Sequence, residues 1–208
     1  MSSPPRWFAE WVRPTETLRV VEPSPADVVT MALQLSRYYN DPYNRAMLAH
    51  TQEMSVADVI QHYRSLRAEG GRPLLLMADG RLVGDADLRG VGDGRAELAI
   101  MVGDRALQGR GLGTAFGIMA HALAFRLLEL RRTCVSILPE NAASRRLFEK
   151  LGYEIDNTPD ARAITDESTD VTMSLPRERF QRQFAADIAV LRFSGDAHDP
   201  PGSGSLGR

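Results

Sequence analysis

"ELAIMVGDRALQGRGLG", residues 97–113, joins a strand pattern to a helix start, and its reading decides the fold. Alternation places Glu97, Ala99 and Met101 on one strand face and Leu98, Ile100 and Val102 on the other. The stretch Gln108, Gly109, Arg110, Gly111, Leu112, Gly113, Thr114 then opens a helix. Leu112, Phe116, Met119, Ala120, Leu123, Leu127 and Leu130 fall on one face of it. Amides at a helix start have no intrahelical partner and point outward together. With the helix dipole they form an anion site. Gly111 and Gly113 allow the backbone to close on a phosphate with no Cβ in the way. A bare G-x-G also fits a turn that merely starts a helix, and Arg110 fits a phosphate contact or a solvated side chain equally well. The dinucleotide and P-loop patterns are not met: no G-x-G-x-x-G follows a first strand, and no G-K-[ST] follows the glycines.

Upstream, "RPLLLMADGRLVGDADLRG" (72–90) reads as a β-hairpin turning at Asp79-Gly80, and a second turn at 92–94 adds the strand that begins at Arg95. Two helix starts precede it. Ser24 with Pro25 and Asp27, and Ser55 with Asp58, carry capping-box spacing, and Gly70-Gly71 ends the second helix. "TLRVVEP" (17–23) reads as a strand, and "SRYYNDPYNRAM" (36–47) as irregular. Downstream come a strand at 133–138, a helix at 141–151, a strand at 152–156 and a strand at 169–176. The expected organisation is an N-terminal arm at 1–16 carrying Trp7 and Trp11, one mixed α/β domain at 17–176, a helical extension at 177–193 and a disordered tail at 194–208. Phe180, Phe184, Ile188 and Leu191 form one stripe of that extension.

"ENAASRRLFEKLGYE" (140–154) carries the second pattern. Asn141 can cap the helix that follows, and Asn141, Ser144 and Phe148 share a face that can line a cleft. The alternative leaves Asn141 as a cap alone and Phe148 in the core. The paired stretches, in this order, resemble the GCN5-related N-acetyltransferase (GNAT) superfamily. Its Q/R-x-x-G-x-G/A motif is matched by Gln108, Gly111 and Gly113, and its N-x-x-S-x-x-x-[YF]-x-x-x-G-[FY] helix by Asn141, Ser144, Phe148, Gly152 and Tyr153.

The resemblance implies a central mixed, mostly antiparallel sheet flanked by helices, with acetyl-CoA as donor and an amine as the usual acceptor. It implies a pyrophosphate site along Gln108–Thr114, backbone contacts to pantetheine at Met101 and Val102, and Asn141, Ser144 and Phe148 along the arm toward the thiol. It also implies a catalytic glutamate at Glu97. The other reading of Glu97 is an exposed strand carboxylate or an ion pair, and Asp85 and Asp87 are weaker candidates. Many relatives have a tyrosine as acid where this chain has Phe148, which carries no proton. Tyr153 matches a packing position. The resemblance is closest to the branch that includes ribosomal-protein N-terminal acetylases and antibiotic acetylases.

Composition narrows the partners. A net charge of −2 gives no case for nucleic acid or an anionic membrane. One cysteine, Cys134, excludes an internal disulfide and fits a cytoplasmic protein. His50, His62, His121 and His198 have no metal-like spacing, so no metal is expected. The acidic loop at 154–170, with Glu154, Asp156, Asp160, Asp166, Glu167 and Asp170, would attract a cationic small-molecule or peptide amine, or is simply solvated. A homodimer is one expected assembly. Two functions stand: an acetyl-CoA-dependent N-acetyltransferase, or a non-catalytic acyl-CoA-binding module on the same fold.

Overall fold

The computed structural model describes residues 7–48, 52–163 and 169–194. Two strands, β1 (Phe8–Val12) and β2 (Thr17–Val21), lead into α1 (Pro25–Asn40), α2 (Pro42–Met47) and α3 (Val56–Ala68). The meander β3 (Arg72–Ala78), β4 (Arg81–Gly92) and β5 (Arg95–Val102) follows. A 3-10 turn at Arg105–Leu107 precedes α4 (Leu112–Leu127), β6 (Arg132–Ile137) and α5 (Ala142–Lys150). The chain then forms β7 (Glu154–Ile155), α6 (Pro159–Arg162), β8 (Val171–Pro176), α7 (Arg177–Gln183), α8 (Ala185–Ala189) and β9 (Arg192–Phe193). Among the described residues the strands make one sheet in the order β7-β8-β6-β5-β4-β3-β2-β1-β9. Every pairing is antiparallel except β5 with β6. This is the mixed, mostly antiparallel sheet that the resemblance implied.

Helix starts form where the caps stand. Ser24 and Asp27 close one capping box, Ser55 and Asp58 the other. Helices α1 and α3 cover one sheet face through Val28, Leu35, Tyr39, Val59 and Tyr63, packed on Leu75 and Met77. The other face packs on α4. That helix is buried on nearly every side, not along one stripe, because the sheet lies against it on one side and α5 and α8 on others. Each large side chain it buries completely, such as Phe116, contributes about 1.5–3 kcal/mol.

Three segments differ from their sequence patterns. Phe8–Val12 is a strand, paired with β2 on one side and with β9 on the other. The cation–π contacts of Arg72 on Trp7 and Arg13 on Trp11 occupy the tryptophans there. The stretch 177–193 is not one helix. It breaks at Phe184, where α7 gives way to α8, and ends in β9. Docking of Phe180 into the core and of Phe193 on the Arg126 side of α4 outweighs the helical stripe. The tyrosine-rich stretch contains α2, capped by Asp41 through the amides of Tyr43 and Asn44. The tail from residue 195 onward, His50, His198, Asp166 and Glu167 lie outside the described residues.

Candidate active site

The site is built on a fork in the sheet. Strands β5 and β6 pair only at Arg95 with Arg132, Ala96 with Thr133 and Glu97 with Cys134. Beyond that point β5 runs on to Val102 and β6 to Ile137 without bonding each other. A cavity of about 680 Å³ occupies the opening. Its lining crosses the sheet. Leu98, Ile100 and Val102 belong to the α4 face, while Glu97, Ala99 and Met101 belong to the opposite face.

The start of α4 enters this cavity. Gly111 is its N-cap, with φ of 84°, in the left-handed region, and no side chain caps the first turn. The leading amides are therefore left to an outside acceptor. Gly109 has φ of 75°, and a Cβ at either glycine would project into open space. Gly113 is an ordinary helical residue. A Cβ there would lie 3.5 Å from Leu147 of α5, an ordinary contact, so the packing of α4 on α5 does not require this glycine.

Gln108, Gly109, Gly111, Gly113 and Thr114 line the cavity, as do Met101, Val102, Asn141, Ser144, Phe148 and Glu97. Two predicted residues do not. Arg110 is exposed, and the Leu112 side chain is in the core, so only its backbone faces the helix start. Gln108 is already committed: its amide donates to the Val102 carbonyl at 2.7 Å and to Asn44 at 2.9 Å. It braces the loop between β5 and α4. Asn44, itself 3% exposed, donates to the carbonyls of Tyr38 and Gly103 and ties α2 to the same loop.

Asn141 caps α5 by accepting from the Ser144 amide at 3.0 Å, and its Nδ2 donates to the Met47 carbonyl at 3.1 Å. One side chain thus joins the two lips of the cavity, α2 and α5. Phe148 is 4% exposed and packs edge-on against Tyr153 with ring centroids 5.0 Å apart. Tyr153 does not line the cavity. Its hydroxyl sits 2.6 Å from His121 Nε2 and 2.8 Å from Thr133 Oγ1. His121 Nδ1 lies 2.6 Å from the Gly117 carbonyl, which can only accept. Nδ1 therefore carries the proton, Tyr153 donates to Nε2, and Thr133 donates to Tyr153. Burial lowers His121 to about 4 and raises Tyr153 well above its usual range. This chain is a closed internal network.

Glu97 is 8% exposed and stands at the vertex of the fork. On the same face Asp85 is enclosed. Tyr39 and Tyr63 both donate to its Oδ2, the latter at 2.9 Å. Burial, opposed by those hydroxyls and reinforced by Asp87, raises Asp85 to about 6. Asp87 clamps Arg89 at 2.7 and 3.2 Å. Neither aspartate lines the cavity.

Among the described residues, three of the four acids of the 154–170 loop are paired with arginines. Glu154 meets Arg179, Asp156 meets Arg132, and Asp160 meets both Arg95 and Arg132. Sequence reasoning missed Asn44 and Ser136 as cavity neighbours, and named Asp170 only as one acid of the 154–170 loop. For α2 a signal was present, since Asp41-Pro42 is a cap followed by a first-turn proline. Ser136 and Asp170 meet only through the pairing of β6 with β8, which no local pattern encodes. Among the described residues no cluster of His, Cys, Asp and Glu could hold a metal, and no helix is long and apolar enough to cross a membrane.

The family model for the acetyltransferase (GNAT) domain matches residues 17–154. The chain belongs to the GNAT acetyltransferase family. An N-acetyltransferase 9-like protein of Caenorhabditis briggsae is 33% identical over 89 residues, 42% of this chain and 42% of that protein. This GNAT chain thus matches less than half the length of that curated relative. Among solved structures, Mycobacterium smegmatis RimJ in complex with CoA-disulfide aligns with a TM-score of 0.68 at 18% identity, covering 88% of this chain and 95% of that one. Aminoglycoside acetyltransferase AAC(6')-Ib in complex with coenzyme A and kanamycin aligns at 0.64 and 23%, covering 80% and 98%. At these identities the likeness establishes the GNAT fold.

Proposed function

We propose that the protein is an acetyl-CoA-dependent N-acetyltransferase that moves the acetyl group to a primary amine by direct attack. The observation that carries this reading is the fork at Glu97 and Cys134. It joins an uncapped helix start on one side of the sheet to a carboxylate on the other through one cavity. Two similar proteins crystallised with coenzyme A or its disulfide, one of them with kanamycin, are consistent with it.

The residues fit acetyl-CoA. The α4 amides behind Gly109 and Gly111 would hold the pyrophosphate, and the part of β5 beyond its pairing with β6, at Met101 and Val102, would face pantetheine. Asn141, Ser144 and Phe148 would flank the arm. Acetyl-CoA supplies an activated acyl group. The amine nitrogen forms the new C–N bond, the thioester C–S bond breaks, and Glu97 takes the proton that the nitrogen loses. Phe148 returns no proton to sulfur. A thiol pKa of about 8.5 makes the thiolate a tolerable leaving group, protonated by water.

The test is incubation with acetyl-CoA and a pool of polyamines, amino acids, aminoglycosides and short peptides with free N-termini, read by mass spectrometry. A gain of one acetyl group on a pool member is expected. Acetyl-CoA binding without any product would favour the acyl-CoA-binding module, the reading to which the missing acid at Phe148 lends weight.

A further inference from the structure

Two carboxylates line the cavity, Glu97 at the vertex and Asp170 on the far wall. The pairing of β6 with β8 sets Val135, Ile137, Val171 and Met173 toward the α4 face. Ser136, Asp170 and Thr172 therefore belong to the same face as Glu97. Ser136 also lines the cavity, and its hydroxyl donates to Asp170 Oδ2 at 2.6 Å. Asp170 Oδ1 is enclosed and has no hydrogen-bond partner, and the same holds for Oγ1 of Thr172, which is 2% exposed.

The contrast with its neighbours is chemical. Glu154, Asp156 and Asp160 of the same loop each meet an arginine. Among the described residues no cation lies within ion-pair distance of Asp170. Its charge is oriented by Ser136 and not neutralised by it. The cations that line the cavity are Arg89, clamped by Asp87, and Arg146 and Lys150 on α5. An uncompensated carboxylate with one unpartnered oxygen, beside the Ser136 hydroxyl, suits an ammonium, which brings three donors and one positive charge.

We propose that Asp170, positioned by Ser136, anchors a second ammonium group of the acceptor while the amine to be acetylated lies at Glu97. This rests on the acetyltransferase reading and narrows its substrate to diamines. Ser136 is two residues beyond Cys134, the pairing partner of Glu97. Two residues of strand span about 7 Å along β6, and Glu97 and Asp170 lie on opposite sides of β6, so the two nitrogens are separated by about 7 Å or more. Chains of four to eight carbons span that range.

The experiment compares 1-aminobutane with 1,4-diaminobutane, and adds 1,8-diaminooctane and a diamino sugar to separate the sources of such a group. Two readouts are used: kcat/KM for acetylation, and calorimetric binding to the CoA-saturated protein. Charge-assisted pairing predicts that wild type prefers at least one of the two linear diamines to 1-aminobutane by about tenfold to a hundredfold. That ratio collapses toward one in Asp170→Asn and shrinks in Ser136→Ala, with thermal unfolding confirming that both variants fold. Equal use and equal binding of 1-aminobutane and both linear diamines by wild type, or an unchanged ratio in Asp170→Asn, overturns the anchor alone. Asp170-dependent diamine binding without acetylation leaves the anchor standing and overturns the enzyme.

Discussion

Glu97 and Cys134 are the last residues paired between β5 and β6, and every cavity-lining contact of the acyl-transfer reading lies beyond them or at the edge they define. The same juxtaposition makes Cys134 part of the sheet's closed end. It is fully buried, and burial first, with Asp156 and Glu97 nearby, pushes its thiol up to about 11. The thiol is then protonated and sheltered at pH 8. An aqueous disulfide reagent should label no cysteine in the native protein and one per chain after denaturation. Rapid native labelling would mean that the end of the fork opens.

Gly111 supplies the left-handed turn before α4. A non-glycine residue in that region costs about 1–2 kcal/mol. Gly111→Ala should weaken acetyl-CoA binding by roughly fivefold to thirtyfold, since the strain falls on the turn that holds the amides. Gly113→Ala should weaken it less, because its backbone is helical and its Cβ meets Leu147 at an ordinary 3.5 Å. Isothermal titration with acetyl-CoA ranks the two, and the reverse order would remove the turn from the binding account.

Two buried groups oppose each other in acid. His121 has a folded value of about 4 against an ordinary 6.5, so between these the unfolded chain holds a proton that the folded chain lacks. Stability from this group rises with pH through that window, on the order of 3 kcal/mol in all. Asp85 has a folded value of about 6 against 3.8, so there the folded chain holds the extra proton. Its contribution falls as pH rises through that window, by a similar amount. Wild type should be nearly flat from these two groups between pH 4 and 6. Asp85→Asn should instead gain stability with rising pH, measured by urea unfolding at fixed pH values. Parallel pH profiles for the two proteins would contradict this assignment.

Phe148 is the position at which a hydroxyl would enter the cavity wall. A positioned acid contributes about 10²–10⁴-fold when proton return limits the rate, and a thiolate departs tolerably without one. Phe148→Tyr is expected to raise kcat severalfold, with the KM for acetyl-CoA little changed. An unchanged kcat, measured at saturating acceptor, would place the slow step elsewhere.

Much of this was legible along the chain because the signals are local. The capping boxes at Ser24 and Ser55, the Asp79-Gly80 turn and the glycines ahead of α4 each act within a few residues. Glu97 could be placed on a face by alternation. What stayed hidden depends on partners far apart in sequence. Phe8–Val12 becomes a strand because β2 and β9 flank it, and α7 and α8 split because Phe180 and Phe193 dock separately. Gln108 matched a phosphate motif, yet its amide is spent on Val102 and Asn44, a role that only the folded loop defines. The acidic loop suggested attraction by charge count, and the arginines that pair Glu154, Asp156 and Asp160 come from β5, β6 and α7.

The central claim, that the fork is where the amine loses its proton, is tested most directly by the pH dependence of kcat/KM for acetyl transfer in wild type and Glu97→Gln. Wild type should show an acidic limb that disappears in Glu97→Gln, with the rate at neutral pH reduced by about 10²-fold or more. Identical profiles and rates in the two proteins would remove Glu97 from the reaction and with it the chemical role of the fork.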